Sequence, residues 1–316
     1  MLRPVFADPK TDFVFKRIFG TEEHKGLLIA LLNALLELDD AHRIVDVTFL
    51  PPEQRVPIEG MKLSILDVKC TDAGGARYVV EMQVLNVDGF EKRVVYNAAK
   101  AYVLQLRSNS DYPELSDVIG VTICDFTLWP SAEGVPDVPM LSRWRMQEQH
   151  RGRLGLGHLR FTFLELPKYT AGDTPKTLVD KWAFFFREAR NLEMVPPALN
   201  ETPFRDAFEA ARTATFNVWE WEAYDREKIA EQDHRGSLTL ARREGRQEGR
   251  EEGRQEGRQE GQLEGARGAL RQVLALRNLT PTQEDNERID ACTDSVTLTR
   301  WLAQAMTADS VGGALR

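Results

Sequence analysis

Two strand-like runs joined by a short turn limit the possible folds of this chain more than any other feature. The runs cover residues 61–71 and 76–85, and the sequence between them reads Asp-Ala-Gly-Gly. If the loop has an odd number of residues centred on Gly74, residues equally far from Gly74 face each other, which pairs Asp67 with Glu81. Gly74 or Gly75 can supply the left-handed conformation that such loops require. A loop with an even number of residues would instead send the two acids to opposite faces.

The order of helical and strand patterns predicts an α/β fold. Up to residue 128 the order is helix, three strands, helix, strand, which is typical of a sheet flanked by helices. From residue 130 to 199 the pattern is less clear, although one further strand and one further helix are indicated. The predicted helices are 22–38, 90–107 and 175–192, and the predicted strands are 43–50, 61–71, 76–85, 117–128 and 158–166.

Composition and charge favour a soluble protein of the cytoplasm. The net charge is -8, from 41 basic and 49 acidic residues. This balance disfavours nonspecific adhesion to nucleic acid or membrane, although it permits a local basic surface. The apolar runs are too short for a membrane span, and the first residues lack the pattern of a secretory signal. For these reasons we expect no membrane association. Three scattered cysteines form no disulfide framework, so we also expect a reducing compartment.

Two carboxylates on neighbouring strands predict a site for a hard divalent cation. Cross-strand neighbours have Cβ atoms roughly 4.5–5.5 Å apart, so Asp67 and Glu81 would repel each other among apolar residues. Carboxylate oxygens at that spacing can coordinate Mg²⁺, which keeps its remaining water ligands. The alternative is that Asp67 faces solvent and binds no metal. No paired histidines and no GxSxG motif are present, which disfavours a histidine-rich zinc site and a serine hydrolase.

The segment 242–265 is a four-residue repeat with glycine at every fourth position and with six arginines against seven glutamates. A helix would carry these glycines as a slowly turning stripe that allows close approach of a partner helix. Each glycine lowers helix propensity by about 1 kcal/mol, so a flexible charged linker is the other interpretation. Residues 266–316 resemble one or two short amphipathic helices broken at Thr280-Pro281, which suggests a packing or oligomerisation module.

Four segments together resemble the PD-(D/E)XK nuclease-fold proteins of the recombination-promoting nuclease (Rpn) and transposase family. They are residues 8–20, 65–83, 92–106 and 180–186, and the similarity extends over about residues 4–265. The resemblance implies a nuclease-like core of order αβββαβ with a mixed central sheet and a helical C-terminal extension. We therefore expect a nuclease domain at 1–199, a helical connector at 200–241, the repeat at 242–265 and a helical module at 266–316.

The family resemblance also implies an activity, which is Mg²⁺-dependent (or Mn²⁺-dependent) DNA endonuclease chemistry linked to recombination or mobile elements. Asp67 and Glu81 match the two metal-binding acids, and the backbone carbonyl of Met82 is a further candidate ligand. Gln83 occupies the place of the usual lysine. An amide can orient water, but it carries no positive charge to stabilise a developing anion. Lys69 lies on the face of Asp67 and either supplies that charge or is an ordinary solvated lysine.

Other candidate residues lie outside the hairpin. Asp12 precedes the first predicted helix and either joins the metal site or caps that helix. Tyr96 and Lys100 lie four residues apart on the helix after Glu81, where they either face substrate or pack against the fold. Basic residues of that helix either contact DNA phosphates or form its solvated side. They are Lys92, Arg93, Lys100 and Arg107.

The loss of the motif lysine leaves a second hypothesis open. A catalytically inactive protein with the same fold could act in DNA-linked assembly or in self-association through its C-terminal helices. The sequence therefore predicts DNA and a possible second copy of the chain as partners.

Overall fold

The computed structural model of the chain describes residues 3–38, 40–54, 64–106, 111–134, 136–150, 152 and 155–316. The chain forms two compact units, Met1–Ala230 and Glu231–Arg316. The described helices are α1 (Asp12–Phe19), α2 (Lys25–Leu36), α3 (Phe90–Val103), α4 (Leu178–Glu188), α5 (Phe204–Ala210), α6 (Val218–Leu276), α7 (Gln283–Ala291), α8 (Ser295–Ala305) and α9 (Val311–Ala314). The described strands are β1 (Val47–Phe49), β2 (Glu53–Gln54), β3 (Ser64–Ile65), β4 (Val68–Asp72), β5 (Arg77–Gln83), β6 (Val118–Cys124), β7 (Leu141–Gln147) and β8 (Gly155–Glu165).

A mixed sheet of six strands forms the centre of the first unit, in the order β1-β4-β5-β6-β8-β7. The strands β1, β4 and β5 pair antiparallel, β5, β6 and β8 pair parallel, and β7 returns antiparallel to β8. This is the predicted α/β fold with helices flanking a mixed sheet, and the order αβββαβ is confirmed. The predicted helix at 22–38 is α2, and its leucines at 27, 28, 31, 32 and 35 are all buried.

The hairpin between β4 and β5 has the register expected for an odd-length loop centred on Gly74. Val68 faces Val80 and Cys70 faces Tyr78, so residues equally far from Gly74 are paired. The three-residue loop is closed by a hydrogen bond from the Asp72 N–H to the Ala76 carbonyl at 3.0 Å. Gly75 has φ +89°, a left-handed conformation that favours glycine.

One predicted strand is broken in the structure. The pattern at 61–71 covers two short strands, because β3 leaves the central sheet and pairs with β2 instead. Asp67 lies in the bend between β3 and β4, one residue before the sheet begins. Residues 61–63 lie outside the described residues. Strand β7 had no clear sequence pattern, because most of its side chains are exposed on an edge strand.

The two faces of the sheet bury different helices. Val80 and Met82 of β5 point into the main core, which contains α1, α2, α4 and α5. The alternate residue Val79 packs instead with Ala98 and Ala101 of α3 on the other face. The main core is dominated by aromatic rings in edge-to-face and tilted contacts, including Phe15, Phe19, Trp182, Phe186 and Phe208. Helix α3 is therefore the element that covers the polar ends of β4 and β5.

The start of α6 is fastened to the N-terminal segment of the first unit. Asp8 is 2% exposed, and its Oδ2 accepts hydrogen bonds from Arg190 at 3.0 Å and Lys228 at 2.9 Å. Burial alone would raise the pKa of Asp8, but the nearby charges of Lys228 and Lys10 outweigh it and lower the pKa. The Asp8 N–H donates to the Tyr224 hydroxyl at 3.1 Å. These bonds hold residues 224–228 against the core of the first unit.

The second unit is helical. The repeat at 242–265 is part of α6. Of the two interpretations, the structure therefore contains the helix and not the flexible linker. An added Cβ at any of its six glycines would meet nothing within 4 Å among the described residues. A small core of Leu270, Leu274, Ile289, Leu298 and Trp301 joins the end of α6 to α7 and α8. The predicted break at Thr280-Pro281 falls between α6 and α7. None of the described helices combines the length and apolar character that a membrane crossing requires.

Candidate active site

The hairpin and α3 enclose a cleft of about 740 Å³ in the first unit. Its lining comes from Ile65 of β3, from Asp67 in the bend before β4, from the end of β5, and from the first two turns of α3 with the loop before them. Six of the sequence-predicted site residues line this cleft, and they are Asp67, Glu81, Gln83, Lys92, Arg93 and Tyr96. The cleft therefore brings most of the predicted site together.

Asp67 is tied to the strand that carries Glu81. Its Oδ2 accepts a hydrogen bond from the backbone N–H of Met82 at 2.8 Å. Continuing the β4–β5 register by one residue places Asp67 opposite Glu81. Burial raises the pKa of Asp67 to about 7, and the negative charges of Asp12 and Glu81 add to the rise. The Met82 hydrogen bond and the Lys16 charge oppose this rise without cancelling it.

Glu81 is held by α3. It is 8% exposed, and its Oε1 accepts a hydrogen bond from the Asn97 side-chain amide at 2.7 Å. Burial raises the pKa of Glu81, while Asn97 and the charge of Arg93 lower it. The Asn97 carbonyl accepts in turn from the Gln54 amide at 3.2 Å, so β2 supports the same turn of α3.

The donor set fits a hard divalent cation that completes its shell with water. Asp67 Oδ1 and Glu81 Oε2 have no hydrogen-bond donor among the described residues, and the buried Asn97 Oδ1 also lacks a partner there. Oxygens of this kind are the ligands that Mg²⁺ and Mn²⁺ accept. Within the described ranges no group of three acidic, histidine or cysteine side chains is already clustered tightly enough to hold a metal.

The orientation of the Met82 carbonyl suits a further metal ligand, because it points to the same edge of β5 as the Met82 N–H. In a strand the N–H and C=O of one residue point the same way. Because the Met82 N–H reaches Asp67, the Met82 carbonyl is also directed to the edge of β5 on which Asp67 lies.

Asp12 of α1 does not line the cleft, although its charge acts on Asp67. It is the first residue of that helix, and it forms an ion pair with Lys16 at 2.6 Å. Its charge raises the pKa of Asp67, which places the two carboxylates within electrostatic reach. Sequence reasoning missed Glu227 of α6, whose two carboxylate oxygens accept the Phe13 N–H at 3.0 and 2.9 Å. No local sequence signal could have found a cap that is 214 residues away.

Two predicted cations lie away from the cleft lining. Lys69 is 8% exposed, and burial together with the charge of Arg77 lowers its pKa. Lys100 is 5% exposed, and its ammonium lies 5.6 Å from the centre of the Tyr96 ring. Arg107, which sequence reasoning grouped with these basic residues, lies outside the described residues.

Gln83 contacts Arg93 of α3, a cation distinct from Lys69 and Lys100. The Arg93 guanidinium donates a hydrogen bond to the Gln83 side-chain oxygen across the cleft. Arg93 also lies over the Phe90 ring, with its central carbon 5.2 Å from the ring centre. The residue that replaces the motif lysine is thus joined to a positive charge from α3.

Comparison with known families agrees with this architecture. Residues 9–241 match the family described as PD-(D/E)XK nuclease family transposase. This chain belongs to that family. The family consists of nucleases related to mobile elements, and the match confirms the resemblance seen in the sequence. Comparisons with curated proteins and with solved structures gave no match.

Proposed function

We propose that this family member is a divalent-metal-dependent DNA endonuclease that uses Mg²⁺ or Mn²⁺. One observation carries the proposal: Asp67 and Glu81 line a single cleft, and burial together with the charges of Asp12 and Glu81 raises the pKa of Asp67. Two acids in such a place repel each other unless a cation or a proton neutralises them. A divalent cation would convert that repulsion into coordination.

The residues of the cleft have separate roles in the proposed reaction. Asp67, Glu81 and the Met82 carbonyl would hold the ion, and Asp12 would reach it directly or through water. The bound ion would supply Lewis-acid stabilisation of phosphoryl charge and a more acidic water. Gln83 would orient the attacking water by hydrogen bonding.

Charge at the cleft mouth supports DNA as the substrate. The chain is acidic overall, so attraction to DNA must come from local cations. Lys92 and Arg93 line the cleft beside the acids, and Tyr96 lines it while 36% exposed. Phosphate contacts of this kind release counterions, so binding should weaken steeply as salt rises.

A plasmid cleavage assay tests the proposed activity. The unmodified chain should nick or linearise supercoiled DNA when Mg²⁺ or Mn²⁺ is added, and chelation should stop it. Asp67→Asn and Glu81→Gln should abolish cleavage, whereas Glu222→Gln on the exposed side of α6 should not. Equal cleavage by all four proteins would indicate a contaminating nuclease and would contradict the proposal.

Gln83 also favours a second candidate, an inactive nuclease-fold protein that acts in DNA-linked assembly. In this case Asp67→Asn would leave all DNA-related behaviour unchanged. We further propose self-association through the C-terminal helices, since the repeat is a long exposed helix with open space at its glycines. Deletion of 242–316 should then lower the mass measured by light scattering to that of one chain.

A further inference from the structure

The cleft retains a positive charge although its motif position carries glutamine. Arg93, three residues into α3, donates from its Nη2 atom to the Gln83 side-chain oxygen. Both residues line the cleft that contains Asp67 and Glu81. The charge therefore reaches the metal-binding acids from the helix instead of from the strand.

The contact also fixes which end of the Gln83 amide faces Arg93. A guanidinium has five donors and no acceptor, so only the oxygen of Gln83 can receive its hydrogen bond. The amide nitrogen must then point away from Arg93, with two N–H donors available. Such donors can hold the oxygen of an attacking water or of a phosphate.

The guanidinium of Arg93 shares its cleft with the carboxylates of Asp67, Glu81 and Asp88. Among the described residues no carboxylate forms a salt bridge with Arg93, and its buried Nε has no hydrogen-bond acceptor. The Phe90 ring beneath the guanidinium holds it in place without cancelling its charge. A guanidinium carries a delocalised positive charge that it can direct to an anion through several donors.

Lys69, the other candidate for this charge, lies elsewhere. It faces Val79 in the hairpin register, two residues farther from the cleft than the Asp67–Glu81 pair. It does not line the cleft, and Arg77 is the cation close enough to affect it.

We propose that Arg93 and Gln83 together replace the motif lysine, with Arg93 as a positioning residue that supplies the charge and fixes the Gln83 amide as a donor. The inference rests on the proposed nuclease function, because it assigns these roles within that reaction. It differs from a simple phosphate contact by Arg93, which would act on DNA affinity alone.

A rescue experiment separates the two roles. Arg93→Gln should lower the kcat for plasmid cleavage by about 100-fold, as loss of one preorganised electrostatic group does, and should change KM far less. Gln83→Lys in the Arg93→Gln background should restore at least about tenfold of kcat, because it returns the charge to the strand. Arg205→Gln changes an exposed arginine on α5 and is the charge-matched remote control. Its kcat and KM should match those of the parent.

Two further measurements keep the outcome decisive. Calorimetric uptake of Mn²⁺ should persist in Arg93→Gln, which shows that the fold and the acids are intact. Lys92→Gln removes an equal charge from the same cleft, and its main effect should be on KM and salt dependence. If Gln83→Lys fails to restore kcat, or if Arg93→Gln changes only KM, the inference is overturned while the nuclease function stands. If the unmodified chain shows no metal-dependent cleavage, the proposed function itself is overturned, and the inference with it.

Discussion

Asp67 is joined to Met82 by a hydrogen bond of 2.8 Å between its Oδ2 and the Met82 backbone nitrogen. This bond crosses from the bend before β4 to the strand that carries Glu81 and Gln83. It holds the first acid beside the second even though Asp67 lies outside the regular sheet. The geometry of the site thus depends on the Asp67 side chain, which accepts the Met82 N–H in the way that a backbone carbonyl of a neighbouring strand would.

The metal-free protein should lose stability as pH rises from about 4 to about 7. Burial raises the pKa of folded Asp67 to about 7, whereas an unfolded aspartate titrates near 4. The folded state therefore holds a proton that the unfolded state has released, and this contribution is present in full below about pH 4. It is lost as pH approaches 7, by at most about 4 kcal/mol.

Urea unfolding at pH 5 and pH 8 in chelator measures this effect. Asp67→Asn should flatten the pH dependence, and Asp206→Asn on the exposed part of α5 should leave it unchanged. A parent and an Asp67→Asn variant with the same pH slope would show that Asp67 titrates normally.

Glu227 should stabilise α1 as a cap supplied from a distant helix. The Thr11 side chain makes no capping hydrogen bond, and Glu227 accepts the Phe13 N–H in its place. Glu227→Ala should therefore lower the free energy of unfolding by about 1 kcal/mol, the usual effect of losing an N-cap. Thermal unfolding against Glu222→Ala, an exposed neighbour on the same helix, provides the comparison. Equal melting temperatures for the two variants would contradict a capping role.

The repeat glycines should tolerate alanine. A Cβ added at Gly249, Gly253 or Gly257 meets nothing within 4 Å, so each substitution should gain up to about 1 kcal/mol of helix stability. Circular dichroism should show greater helicity and a higher melting temperature. Gly75→Ala is the opposite control and should lower the melting temperature. Its φ is +89°, and the added Cβ would lie 3.0 Å from Ser116 Oγ.

Light scattering on the same alanine variants tests the glycine stripe as a contact surface. If the stripe packs against a second copy, the measured mass should fall toward that of one chain while helicity rises. An unchanged oligomeric mass would place self-association elsewhere on the C-terminal helices.

The two strands of the hairpin could be predicted from the sequence because their determinants are local, whereas the choice between an odd and an even loop stayed open. A period of two, together with a three-residue loop, fixes which residues of β4 and β5 face each other. The break at Asp67 could not be read in this way, since β3 leaves the sheet to pair with β2. Strand β7 was missed because its exposed residues carry no alternating apolar pattern.

Contacts that depend on tertiary packing were beyond sequence reasoning. Gln83 and Arg93 are ten residues apart, but their contact requires α3 to dock across the hairpin in one rotation. The spacing made Lys69 the nearer candidate because it shares the strand with Asp67. The sequence also left open whether the repeat is helical, because glycine has a low helix propensity. The structure shows that α6 continues through the repeat to Leu276.

Calorimetric titration with Mn²⁺ at pH 8, where Asp67 is largely ionised, tests the central claim most directly. The account predicts saturable uptake by the unmodified chain and its loss in both Asp67→Asn and Glu81→Gln. Absence of uptake by the unmodified chain, or equal uptake by all three proteins, would contradict a metal site shared by these two acids.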